Sequence, residues 1–118
     1  MSNKKNNFFQ KFLDSKDLEQ YIDLFPNNIG TSGYDPWGMN IEGIKSTLGV
    51  AKYLYTKYFR VEAFGLENIP KDGRVLVIPN HSGQLPIDGM MTAYALLTSP
   101  IAPRVPKAMV ERYFPTLP

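Results

Sequence analysis

No cysteine occurs among the 118 residues, which excludes disulfide scaffolds, thiolate zinc sites, iron–sulfur clusters and a thiol nucleophile. Histidine is nearly absent as well. A single residue, His81, rules out a multi-histidine metal site within one chain and gives imidazole chemistry one address. An excess of one charge is also missing. Thirteen Lys and Arg stand against eleven Asp and Glu, a net of +2, too small for the electrostatic footprint of a nucleic-acid binder. No apolar run reaches the length of about 18 residues that a spanning helix needs. The polar, basic N-terminus MSNKKNNFFQKF is not followed by the apolar stretch of a secretory signal. A G-x-S-x-G nucleophile elbow and a glycine-rich phosphate loop are absent too, which argues against serine hydrolases and nucleoside triphosphatases. The expected location is the cytoplasm.

The residues that are present read as one folded domain. Hydrophobic residues make up 43% and charged residues 20%, ordinary usage for a globular chain and unlike a disordered one. Ten prolines and nine glycines punctuate it heavily. Ser15 reads as an N-cap with Asp17 in the first turn. Leu18, Tyr21, Ile22 and Phe25 come next at helical spacing before Pro26 closes the element. Residues 27–38, rich in Asn, Gly, Pro and Asp, form a loop in which Asp35-Pro36 is placed to start the next helix. The strongest periodic element is Ile41, Ile44, Leu48, Ala51, Leu54, Tyr55 and Tyr58, one apolar face of a helix over 40–58. Gly43 and Gly49 each weaken that helix by about 1 kcal/mol relative to Ala. Packing, or a lipid surface, must therefore help to hold it.

The pattern then changes period. Arg60-Val61-Glu62-Ala63-Phe64 alternates polar and apolar side chains, as a half-buried strand does. A connector over 65–73 ends in the turn signal Asp72-Gly73. Val75-Leu76-Val77-Ile78 is continuously apolar and mostly β-branched, which fits a strand buried on both faces. Ile87 to Leu97 returns to helical pattern with Asp88 in the first turn, and prolines at 100, 103 and 106 interrupt the chain beyond it. Residues 107–114 suit a short helix. The expected fold class is α/β: N-terminal helices, then the first strands, with 74–78 central between helices 40–58 and 88–97. Residues 1–34 form an N-terminal helical and loop extension, and 35–118 belong to the α/β domain.

The chemistry concentrates at the end of the apolar run. Reactive groups in α/β folds collect where strands end and helices begin. Here Asn80-His81 comes after the run and Asp88 opens the next helix. A carboxylate that accepts the proton on one ring nitrogen fixes the tautomer and stabilises imidazolium as the other nitrogen takes a proton. The same letters suit an ordinary turn histidine beside a helix-capping acid. The apolar run before His81, Gly83 for close backbone approach, and the lack of a second imidazole favour the chemical reading.

At these residues a resemblance emerges. The stretch VEAFGLENIPKDGRVLVIPNHSGQLPIDGMM over 61–91 strongly resembles the opening of the glycerolipid acyltransferase superfamily, the lysophosphatidate and glycerol-phosphate acyltransferases. The GLENIP phrase, the apolar run and NHS leading to an Asp form that family's first motif. Six residues separate His81 from Asp88, namely Ser82, Gly83, Gln84, Leu85, Pro86 and Ile87, more than most members carry. That spacing, with DPWGMNIEGIK and YLYTKYFRVE upstream, looks like the branch near monoacylglycerol and diacylglycerol acyltransferases.

The resemblance implies transfer of a fatty acyl group from acyl-CoA or acyl carrier protein, as co-substrate, to a glycerolipid hydroxyl. No cofactor or metal is implied. It makes His81 the general base and Asp88 its orienting partner, with Ser82, Gly83 and Gln84 as the substrate-binding loop and no covalent acyl-enzyme. The expected partners are the acyl donor, the glycerolipid acceptor and the inner face of the membrane, met peripherally; a nucleic acid is not expected. Arg104 and Arg112 do not sit in the family's later arginine block, and no Glu-Gly pair occurs after Asp88. The expectation is therefore the N-terminal portion of an acyltransferase domain, lacking its C-terminal portion and weakly active or inactive alone. The alternative is a non-catalytic membrane- or protein-binding module built on the amphipathic helix 40–58.

Overall fold

A computed structural model describes residues 18–25, 30–36 and 38–109. In chain order these form α1 (Glu19–Ile22), α2 (Ile41–Tyr53), a π-helical turn (Leu54–Tyr58), a 3-10 turn (Leu66–Asn68) and α3 (Ile87–Leu97). The apolar spacing read for 18–25 yields a short helix. Its last turns tighten, with Leu24 and Phe25 N–H groups donating to the Tyr21 and Ile22 carbonyls. The cap proposed at Ser15 lies outside the described residues.

Where α2 begins is decided by two side chains. Asp35 does not start a helix: its carboxylate accepts the Met39 N–H at 2.7 Å, and its own N–H donates to the Met39 carbonyl at 2.9 Å. That reciprocal pairing ties Asp35 to Met39 and delays the helix. Asn40 then caps it from an extended backbone, φ −126° and ψ 128°, by accepting the Gly43 N–H at 2.9 Å. The other end of the same amide donates to the Gly33 carbonyl at 3.2 Å, so one side chain both starts the helix and holds the preceding loop. Glu42 in the first turn and Lys52 in the last suit the helix dipole. Beyond Tyr53 the bonding widens: the Phe59 N–H reaches back to the Leu54 carbonyl at 2.8 Å. Arg60, at φ 50°, ends the element in the left-handed region.

The core is the seam between α2 and α3. Leu48 and Ala51 from α2 and Met91, Tyr94 and Leu97 from α3 are buried together with Leu18. Tyr21, Ile22, Phe25, Ile44, Leu54, Val61 and Val105 pack around them. The middle of the 40–58 apolar face, from Ile44 to Tyr55, thus shares a core with α3 and residues 18–25, whereas Tyr58 at its end stays exposed. The described part of the 1–34 extension shares this core. Tyr55 meets Tyr94 with ring centroids 4.8 Å apart at 43°, a tilted aromatic contact, and its partial burial pushes the phenol pKa up. The seam is thin, since none of the described side chains is sealed completely from solvent.

The α/β expectation is overturned, because no strand forms among the described residues. No backbone hydrogen bond joins 60–64 to 74–78. A strand exists only through a paired neighbour, and apolar, β-branched composition cannot supply one. Nor is 74–78 buried on both faces: Val75 and Val77 are 37% and 39% exposed, Leu76 and Ile78 74% and 83%. That alternation is the mark of an extended segment with one side turned toward the protein. Residues 107–109, the described part of the expected last helix, are irregular. No helix among the described residues is long and apolar enough to cross a membrane.

Two substitutions test the start of α2. Asn40→Ala should cost about 1 kcal/mol of stability through the lost cap. Gly43→Ala should add about 0.5–1 kcal/mol, because its new methyl would stand 3.7 Å from the Asn40 Oδ1, ordinary contact, while the N–H that Asn40 accepts remains. Urea unfolding followed by helical circular dichroism measures both, and opposite signs are expected.

Candidate functional site

The site is a loop folded back onto a helix start. Residues 83–85 bend, with Gly83 at φ 88°, a backbone state that any side chain would strain. Pro86 precedes α3 and offers no side-chain cap. The first turn is served instead by Asp88, whose carboxylate accepts the Gly89 N–H at 2.7 Å. The same carboxylate accepts the Ser82 N–H at 3.2 Å, and the His81 Nδ1 lies 2.8 Å from each of its oxygens.

These contacts fix the chemistry of the pair. The His81 hydrogen bond, followed by those from Ser82 and Gly89, holds the Asp88 carboxyl below the usual carboxylate range. Ionised, Asp88 only accepts, so Nδ1 is the donor and carries the proton when the ring is neutral. The Nε2 is left with a lone pair. Both side chains remain reachable, 54% exposed for His81 and 38% for Asp88. The arrangement can therefore take a proton from a hydroxyl and stabilise the imidazolium that results.

The structure sets Ser82, Gly83 and Gln84 in the exposed loop directly after the imidazole. Ser82 contributes its backbone N–H to Asp88, which shapes the loop. Ile78 and Leu85, on either side of His81 in the chain, are large apolar side chains exposed to solvent. No group of three or more His, Cys, Asp or Glu suited to a metal ion exists among the described residues. Arg112 lies outside them.

Arg104 is the residue whose role here sequence reasoning missed. Its guanidinium donates from Nη1 to the Pro70 carbonyl at 2.6 Å and from Nη2 to the Gly73 carbonyl. Its backbone N–H donates to the Leu96 carbonyl at 3.0 Å. No local pattern could have announced this, since the gripped carbonyls lie 34 and 31 residues away.

No protein-family profile matches the chain, and no solved structure matches it. It is similar to uncharacterized proteins of Mycobacterium bovis and Mycobacterium tuberculosis, 49% identical over 45 residues. An uncharacterized protein of Mycobacterium leprae is 44% identical over 45 residues. Each match covers 38% of this chain, but only 13% of the first two relatives and 12% of the third. The chain thus spans about an eighth of the length of the curated relatives it matches.

The lowered Asp88 pKa carries a pH signature. A carboxylate whose folded pKa is depressed contributes stability above its unfolded pKa, about 4, and loses it as pH falls through the folded value. Helical circular dichroism against pH should show an acid limb below about pH 4. Asp88→Asn, which cannot ionise, should flatten that limb, and identical limbs would show that the pair is not linked to folding.

Proposed function

We propose that the chain carries the hydroxyl-activating His–Asp pair of an O-acyltransferase. The reaction moves a fatty acyl group from acyl-CoA or acyl carrier protein to the hydroxyl of a glycerolipid. The observation that carries the reading is the Asp88 carboxylate 2.8 Å from the His81 Nδ1, with Nε2 left as the base on an exposed loop. The resemblance of residues 61–91 to the acyltransferase opening motif names the acyl group and the acceptor class.

In this reaction the acceptor hydroxyl donates to Nε2 of His81 while its oxygen attacks the thioester carbonyl. The O–H proton passes to Nε2, and Asp88 stabilises the imidazolium. Collapse of the tetrahedral intermediate reforms the carbonyl, breaks the carbon–sulfur bond and expels the thiolate, which takes the proton back from Nε2. No acyl group is attached to the protein, so Ser82 serves as loop and not as nucleophile. Ser82, Gly83 and Gln84 would line the approach to the imidazole. The exposed Ile78 and Leu85 suit an acceptor presented at the inner face of a membrane, met peripherally. A docking module built on helix 40–58 would need its apolar stripe free, and the middle of that stripe, from Ile44 to Tyr55, belongs to the core cluster while Tyr58 stays exposed.

The test uses the gene product isolated from its own cells, assayed for transfer of labelled acyl groups to lysophosphatidate, glycerol phosphate and diacylglycerol. His81→Ala should abolish transfer while the helical signal is retained. Asp88→Asn should lower it by about 10²–10⁴-fold, the scale of general-base assistance. Near-wild-type transfer by His81→Ala would falsify the assignment.

A further inference from the structure

Residues 74–80 connect two fixed points at opposite ends of one helix. At the far end, Asp88 in the first turn of α3 holds His81 and the Ser82 N–H. At the near end, Arg104 holds the Pro70 and Gly73 carbonyls. Arg104 is itself fastened to the last turn of α3 by its N–H bond to Leu96. The segment before it is also fixed: Ala102 is buried, and the Ser99 hydroxyl accepts the N–H groups of Ile101 and Ala102 at 3.4 and 3.3 Å. The lengths agree. An 11-residue helix is about 16 Å long, and the eight steps from Gly73 to His81 reach at most about 29 Å. The intervening run forms no ladder with any described neighbour, so hydrogen bonds hold it at these two ends and only the inward sides of Val75 and Val77 meet the protein between them.

We infer that Arg104 is a positioning residue of the His81 site, holding the near end of the segment whose far end carries the imidazole. This rests on the acyltransfer reading for its consequence in catalysis, but not for its geometry. A planar guanidinium suits the task because its fork presents two parallel donors to two carbonyls at once. An ammonium group lacks that fork. With the near end released, residues 70–80 gain freedom that His81 must surrender each time it meets Asp88, and the pair is populated less.

The single histidine makes this measurable without an activity assay. The full chain, labelled with nitrogen-15, gives one imidazole whose tautomer is read by magnetic resonance at a pH where the ring is neutral. In the wild type the proton sits on Nδ1, and Asp88→Asn supplies the reference for a broken pair. Arg104→Met should keep the helical signal while the Nδ1–H fraction falls below about one half, and Arg104→Lys should fall between. In acyl transfer the same two variants should lower kcat by about tenfold or more with a smaller change in KM, in the same order. A folded Arg104→Met with the wild-type tautomer overturns the inference. Should that variant lose its helices, Arg104→Lys decides by the same measurement: a reduced Nδ1–H fraction supports the role, and a wild-type fraction overturns it. Failure of acyl transfer as the function would appear separately, as activity retained by His81→Ala.

Discussion

The packing of α3 against α2 is the constraint on which the remaining structure depends. Met91, Tyr94 and Leu97 face Leu48 and Ala51, and Leu18 closes the seam. This contact sets where α3 lies, and both attachments of the site loop are made at its two ends. Asp88 holds the loop at the first turn, and Arg104 holds it from the last. No side chain in the seam is completely sealed, so truncating one of its large apolar residues should cost less than the ~2–5 kcal/mol typical of a well-packed core.

The two longer helices were legible because periodicity is a local property. The recurrence of Ile44, Leu48, Ala51 and Leu54, and of Met91, Tyr94 and Leu97, reports one buried face each. Boundaries were less legible. Asp35-Pro36 has the letters of a helix start, but the Asp35 carboxylate bound Met39 first, and Asn40 took the cap. Strands failed for a different reason. The Val75–Ile78 composition expresses a preference for an extended backbone, yet a ladder needs a second segment at the right distance. The described residues provide none.

The approach of His81 to Asp88 could be read from Gly83 and Pro86, which turn the chain, and from Asp88 at a helix start. Its chemical state could not. That state arises from a carboxylate which also accepts the Ser82 and Gly89 N–H groups and therefore stays ionised. Backbone donors carry no residue signature, so this part of the site is written in the fold and not in the letters. Arg104 is the extreme case, because both carbonyls it grips could belong to any residue type.

The segment between the two attachments has an uncommon combination of properties. Residues 74–80 are held in place at both ends, yet their amides donate to no backbone carbonyl among the described residues. In most folded proteins spatial order and protection from solvent go together, because the same hydrogen bonds provide both. Here they separate. The segment's amide protons are open to exchange with water although both its ends are tied, so slow exchange would mark α2 and α3 but not the chain that carries the histidine.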